Sequence, residues 1–253
     1  MAEKHDIPQI VYCFGAILQG RGALIFMERM AGGTLEDYVK NKGSLPEETC
    51  VAFGKDLILA VKFAHEDVGI VHGDIHAGNV LLDEYPTYVK LVDFGSTQAI
   101  QEDRPRCFDD IWQIGCLLLF MLTGKISPLS DERDPDEHER LKAVKPEKHF
   151  PPQASKEMLE LLNLIFGVGR KQLPSAAEIL HDFATILKKI GTHSIYIGSA
   201  VPSRVHGRKH QFRKETSKHG LHKSILVTTG LLGGFLYLFY HYLYGKLIDI
   251  HDQ

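Results

Sequence analysis

His72-Gly73-Asp74-Ile75-His76-Ala77-Gly78-Asn79, followed after a hydrophobic segment by Asp93-Phe94-Gly95, is the stretch on which the reading of this chain turns. Phosphoryl transfer accounts for that spacing. An aspartate on a loop can accept the proton of an attacking hydroxyl. An asparagine shortly after it, and a second aspartate on a facing loop, can hold Mg²⁺ against nucleotide phosphates. Asp74 fits the first role, and Asn79 and Asp93 fit the others. Singly, each motif has a plainer explanation: a strand-end turn for Asp93-Phe94-Gly95, a loop cap for Asp74.

The flanking pattern supplies a scaffold for such loops. Upstream, alternating apolar segments at Ile10 to Leu18 and Ala23 to Met27 are joined by Gln19-Gly20-Arg21-Gly22, a hairpin signal. After Gly32-Gly33 the period turns helical. Ser44-Leu45-Pro46-Glu47 has the spacing of a capping box with proline in the first turn, and a long helix is expected from there to near His65. Short strands are expected at Val80 to Leu82 and Tyr88 to Val92. Ile111 to Leu122 is apolar on nearly every side before Gly124, so that helix belongs at the domain centre. Helices around Met158 to Phe166 and Ala176 to Ile190, the latter behind a Pro174-Ser175 cap, complete the body.

In this order the motifs resemble the protein kinase superfamily. His72 to Asn79 looks like its catalytic loop, Leu91 to Gly95 its metal-binding loop, and Asp110-Ile111-Trp112-Gln113-Ile114-Gly115 the start of its central helix. Leu24 to Leu35 looks like its hinge, and the segment from Tyr12 is most similar to serine/threonine kinases of the MAP kinase kinase kinase type. The resemblance covers roughly residues 8 to 190. It implies an α+β kinase-like fold, mostly the helical lobe with a remnant of the small-lobe sheet, that takes ATP and Mg²⁺. It further implies Asp74 as catalytic base, Asn79 and Asp93 as metal ligands, Met27 as gatekeeper, backbone contacts to adenine from Glu28 and Met30, and Leu81 as the floor of the adenine pocket.

The pattern also departs from that family. No glycine-rich loop or strand lysine precedes the hinge, so these residues open at about the family's fourth strand, and a longer transcript or a partner would have to supply the rest. Asp93 and Asp110 lie too close for a full activation segment. Gly73 stands where most of the family has arginine, and His76 where it has a phosphate-contacting lysine, a loop closer to aminoglycoside and choline kinases. His76 is accordingly read as either a phosphate contact in catalysis or a plain loop histidine. Leu173 replaces an arginine that usually pairs with the lobe's acidic residue.

Composition bounds the rest. With 253 residues, 44% apolar and 24% charged, the chain can bury one sizeable core. The formal charge of −3 hides seven Lys or Arg between residues 204 and 223, leaving an acidic remainder that argues against nucleic-acid binding. Cys13, Cys50, Cys107 and Cys116 show no paired spacing, which suits reduced thiols. The N-terminal residues carry no secretory or transit pattern. Ile225 to Tyr244 lacks any formal charge, and at about 1.5 Å per residue it spans roughly the 30 Å of a bilayer core. It reads as a single transmembrane helix with an interfacial tyrosine cluster, a buried core helix being the alternative. The expected layout is a kinase-like domain over 1–190, a basic linker over 191–223 that contacts headgroups or acts as a solvated tether, a span over 224–245, and a tail over 246–253. Its orientation puts the body in the cytosol, at the endoplasmic reticulum or outer mitochondrial membrane. Gly230 and Gly234 offer a face for a homodimer.

Two functions follow. One is a membrane-anchored serine/threonine-kinase-like enzyme acting on protein substrates, weak or silent in this chain alone. The other is a pseudokinase that docks signalling proteins at a membrane face.

Overall fold

The run from Ile111 to Leu122, expected to lie at the domain centre because it is apolar on nearly every side, does so within the helix Cys107–Thr123: Ile111, Ile114, Leu118 and Met121 are fully enclosed. This is the computed structural model of the chain, and it describes residues 9–19, 22–100, 107–131, 145–170, 172–190 and 226–229. Strands β1 (Cys13–Gln19) and β2 (Gly22–Met27) form the expected antiparallel hairpin. The short strand β3 (Gly33–Thr34) leads into helix α1 (Leu35–Lys42), and α2 (Glu47–Lys62) follows. Then come β4 (Ile70–Val71), β5 (Val80–Leu82), β6 (Val89–Leu91) and β7 (Gln98–Ala99). The order closes with α3 (Cys107–Thr123), α4 (Lys156–Ile165), α5 (Ala176–Ile190) and β8 (Leu226–Thr229).

Helix α2 packs against both α3 and α5, and α4 closes on α5. Phe53, Leu57 and Ile58 of α2 meet Phe183 and the α3 residues in one contiguous core. The sheets are small: β3-β5-β6 runs antiparallel, β4 pairs with β7, and β1-β2 continues into β8. Val11 N–H donates to Leu91 O at 3.0 Å, and Leu91 N–H donates to Gln9 O at 2.8 Å, so the segment before β1 is stitched to β6. The β4–β7 pair was not legible in the sequence, because two-residue strands carry no periodicity.

Helix ends account for two differences from expectation. Ser44 does not cap α2; Pro46 is the N-cap residue and makes no side-chain bond. Glu47, expected to close that box, instead accepts from Ser155 N at 2.8 Å and Ser155 Oγ at 2.5 Å. The carboxylate thus ties the start of α2 to the N-cap of α4, where Ser155 also receives Met158 N–H. The box at Ser175 forms with Glu178, and Thr34 caps α1 by accepting Asp37 N–H while its hydroxyl donates to the Asp37 carboxylate. Regular α-helix stops at Lys62 and continues as a π turn through Val68, ended by Gly69 at φ 80°.

Among the described residues no helix is long and apolar enough to cross a membrane. Most of the span expected over 224–245 lies outside the described residues, as do the linker and tail. Leu226-Val227-Thr228-Thr229 is a strand antiparallel to β2, with Gly22 opposite Thr229, rather than the start of a helix. Its β-branched valine and threonines favour the extended backbone.

Candidate active site

Asp110, at the first turn of α3, is fully buried. Its Oδ2 accepts His72 N–H at 2.8 Å and its Oδ1 accepts Gly73 N–H at 2.8 Å. Gln113 Oε1, one turn on, accepts Ile75 N–H at 2.7 Å. The central helix therefore holds the backbone of the His72–Asn79 loop at three points. His65, carried in by the π turn, places Nε2 2.8 Å from Asp110 Oδ2. Burial pushes the His65 pKa down, but its hydrogen bonds with Asp110 and Cys107 outweigh that and raise it to about 9.

His72 is the pivot of the loop. Its Nδ1 accepts Asp74 N–H at 3.3 Å, which leaves Nε2 as the protonated nitrogen, 3.2 Å from Val92 O. Its ring meets buried Phe94 edge-on, with centroids 4.7 Å apart. Burial keeps this imidazole neutral by lowering its pKa. The histidine thus links the loop of Asp74 to the segment of Asp93.

Gly73 has φ 81°, a backbone region that disfavours side chains, and a Cβ there would lie 3.0 Å from Ser96 O. This accounts for the missing arginine: the residue after Asp93-Phe94-Gly95 occupies its space.

Asn79 Nδ2 donates to Asp74 O at 3.0 Å, and Val92 N–H, of the residue before Asp93, donates to Asn79 O at 3.0 Å. Asp93 is exposed and adopts φ 65°, a costly conformation for a non-glycine residue of the kind that collects at functional sites. Its Oδ1 accepts Gly95 N–H at 3.1 Å. Asp93 and Asn79 offer hard oxygen donors, which suits Mg²⁺ held by one or two side chains plus phosphate oxygens. No cluster of three His, Cys, Asp or Glu able to hold a metal alone occurs among the described residues. The residues present fit a nucleotide-borne ion.

His76 lies exposed on the same loop. Its Nδ1 accepts Gly78 N–H at 3.1 Å, so Nε2 carries the proton, and it faces Asp74 Oδ2 at 3.6 Å. That separation is an electrostatic contact longer than a hydrogen bond.

On the hinge side, Met27 ends β2 and Leu81 lies on β5, opposite Thr34 and Lys90. Met30 is half-buried in the connection that follows. Glu28 N–H donates to Tyr12 O at 2.9 Å, while the Glu28 carboxylate accepts Tyr12 N–H at 2.7 Å and pairs with Lys90 Nζ at 2.5 Å. That clamp, like the His65–Asp110 pair, was not anticipated from sequence, since both join residues far apart in the chain.

The fold is α+β and kinase-like, and the chain is similar at low identity to serine/threonine kinases. Residues 1–109 match the family model described as "Protein kinase domain". The chain is similar to "Probable serine/threonine-protein kinase fnkB" of Dictyostelium discoideum, 27% identical over 214 residues, covering 74% of this chain and 40% of that protein. "Sperm motility kinase 2B" of Mus musculus is 27% identical over 205 residues, 71% of this chain and 41% of that protein. "Mitogen-activated protein kinase kinase kinase nsy-1" of Caenorhabditis elegans is 26% identical over 262 residues, 89% of this chain and 17% of that protein. The chain spans about two fifths or less of the length of these relatives.

Proposed function

We propose that this domain binds Mg²⁺·ATP between the Asp74–Asn79 loop and Asp93, and that it transfers phosphate to serine or threonine of proteins, weakly or not at all in these 253 residues alone. The observation carrying this reading is the pair of bonds that join Asp74 O to Asn79 and Asn79 O to Val92, the residue before Asp93, with Asp93 itself at φ 65°. Asp74, half-buried and oriented through His72 and Asn79, would take the proton of the acceptor hydroxyl. Asn79 and Asp93 would hold the ion, which when bound neutralises charge on the transferring phosphate. Met27, Glu28, Met30 and Leu81 would receive the adenine.

The second reading, a pseudokinase scaffold for signalling partners, is favoured by His76. The loop position that would meet phosphate carries a ring held between Gly78 and Asp74.

Membrane attachment belongs to the same proposal. The charge-free run 225–244 behind a basic flank supports a single-pass anchor, which requires Leu226–Thr229 to leave their pairing with β2 on insertion, with the domain in the cytosol at the endoplasmic reticulum or outer mitochondrial membrane and a homodimer through the glycine-bearing face. Resistance of the full chain to alkaline carbonate extraction tests it; release into the soluble fraction contradicts it.

The functional test is a thermal shift of the full chain with millimolar ATP, with and without Mg²⁺, beside Asp93→Asn. A magnesium-dependent rise that disappears in the variant supports the nucleotide site. Absence of any rise supports the scaffold.

A further inference from the structure

Strand β2 has two edges. β1 takes one of them, and β8 takes the other, with Leu226 opposite Ile25, Val227 opposite Leu24, Thr228 opposite Ala23 and Thr229 opposite Gly22. The hairpin of β1 and β2 is also apolar on the side turned from the core. Ile25 is buried and its partner Ala16 packs on the core, whereas Ile17, in the next register row, is 56% exposed and Phe14 is 66% exposed. Phe26 is exposed as well. A two-stranded hairpin is marginal alone, and an open edge flanked by bare apolar residues invites a further strand. The strand that adds here is the head of the charge-free run 225–244.

We infer that residues 226–229 are a two-state segment: an edge strand docked on β2 while the chain is in water, and the first turn of the span once it enters a membrane. Insertion then uncovers the β2 edge. The inference rests on the single-pass anchor reading and deepens it. Three observations carry it. The first is that the two placements exclude each other. Within hydrocarbon every backbone N–H and C=O is paired inside the spanning segment, so a strand hydrogen-bonded to a folded domain cannot lie there. The second is length. With 226–229 given to the strand, residues 230–244 as a helix would reach only about 22 Å of the roughly 30 Å core. The third is sequence: Val227, Thr228 and Thr229 are β-branched, which favours the strand in water, while in lipid the intrahelical bonds decide. The solvent therefore selects the state. The occupant of the edge is this chain's own segment, because residues 191–225 join it covalently to α5 and its docking is not diluted as a second molecule's would be.

Disulfide trapping tests this in the full chain, made by cell-free translation with or without microsomal membranes and oxidised with copper–phenanthroline. Leu24→Cys with Val227→Cys places two cysteines directly opposite each other. Ile17→Cys with Val227→Cys lies in the same row but one strand further, about 10 Å apart, and controls for chance contact. Mass mapping of the joined peptides separates these bonds from any made by the four native cysteines. Without membranes the first pair should bond within one chain at least fivefold more than the control. In the fraction that resists alkaline carbonate extraction, that bond should be absent. Val227→Pro, combined with Ala23→Cys and Thr228→Cys, should lose the bond in water yet insert as before, because proline breaks a strand ladder but is tolerated in a helix's first turn. Equal yields from the two pairs, bonding only between chains, a bond that survives Val227→Pro, or a bond kept in the extraction-resistant fraction overturns the switch. If the bond forms but no fraction resists extraction, the anchor reading fails and β8 is a permanent edge strand. If a fraction resists extraction and the bond never forms, the anchor stands and the docking alone fails.

Discussion

The Asp110 carboxylate receives the His72 N–H at 2.8 Å from inside the core, so the first turn of the central helix fixes the backbone on which Asp74 is carried. The same carboxylate meets His65 and Gly73, which makes it the joint between the helical core and the reactive loop. Removing one member of a buried, hydrogen-bonded charge pair costs about 3–5 kcal/mol. Asp110→Ala should lower stability by that order in denaturant unfolding. Asp110→Asn should cost less, because its amide oxygen still accepts one loop N–H.

Gly73→Ala should destabilise by about 1–3 kcal/mol, since the new methyl combines a positive φ with close approach to Ser96 O. Chemical unfolding checks it. Replacement by alanine at Gly169, which also has positive φ but open space around it, should cost only the backbone part.

Two groups make stability fall as pH rises. Burial raises the Asp56 pKa from 3.8 to about 7, against the opposing bond from Val89 N–H. A raised carboxyl contributes stability that is complete below its unfolded value and lost as pH climbs through its folded value, here between about 4 and 7. His65, raised to about 9, contributes below 6.5 and loses its share between there and 9. Asp56→Asn should therefore be more stable than the parent at pH 8, with the difference shrinking towards pH 4. A difference independent of pH contradicts the assignment.

Glu47→Ala should cost about 1.5–3 kcal/mol, because it strips two charge-assisted bonds from Ser155 at the head of α4. Ser155→Ala should cost a comparable amount, since it keeps the backbone N–H bond to Glu47 but loses both the hydroxyl's bond to that carboxylate and the cap on Met158 N–H. The two substitutions should be non-additive in a double-mutant cycle.

Helix α3 was legible because Ile111 to Leu122 is apolar on nearly every side, α2 because its stripe repeats with helical period, and α5 because the Pro174-Ser175 cap precedes it. The catalytic-loop and Asp93-Phe94-Gly95 spacings were legible because each is local in sequence. What escaped was set by distant contacts. Glu47 looked like a local cap because Ser44 stands three residues before it, whereas its partner Ser155 lies 108 positions away. His65 looked like a helix end, and only the π turn that brings it to Asp110 reveals its partner. At Leu226 to Thr229, the local β preference competes with the apolar run that reads as a helix, and those residues pair with β2.

Whether Asn79 and Asp93 share one divalent ion is the central question, and electron paramagnetic resonance of Mn²⁺ with ATP on the full chain answers it. The free-ion signal should fall as chain is added in the presence of nucleotide, and should be restored equally by Asn79→Leu and by Asp93→Asn. Undiminished binding in either variant, or no loss of free-ion signal with the parent chain, would contradict a shared site.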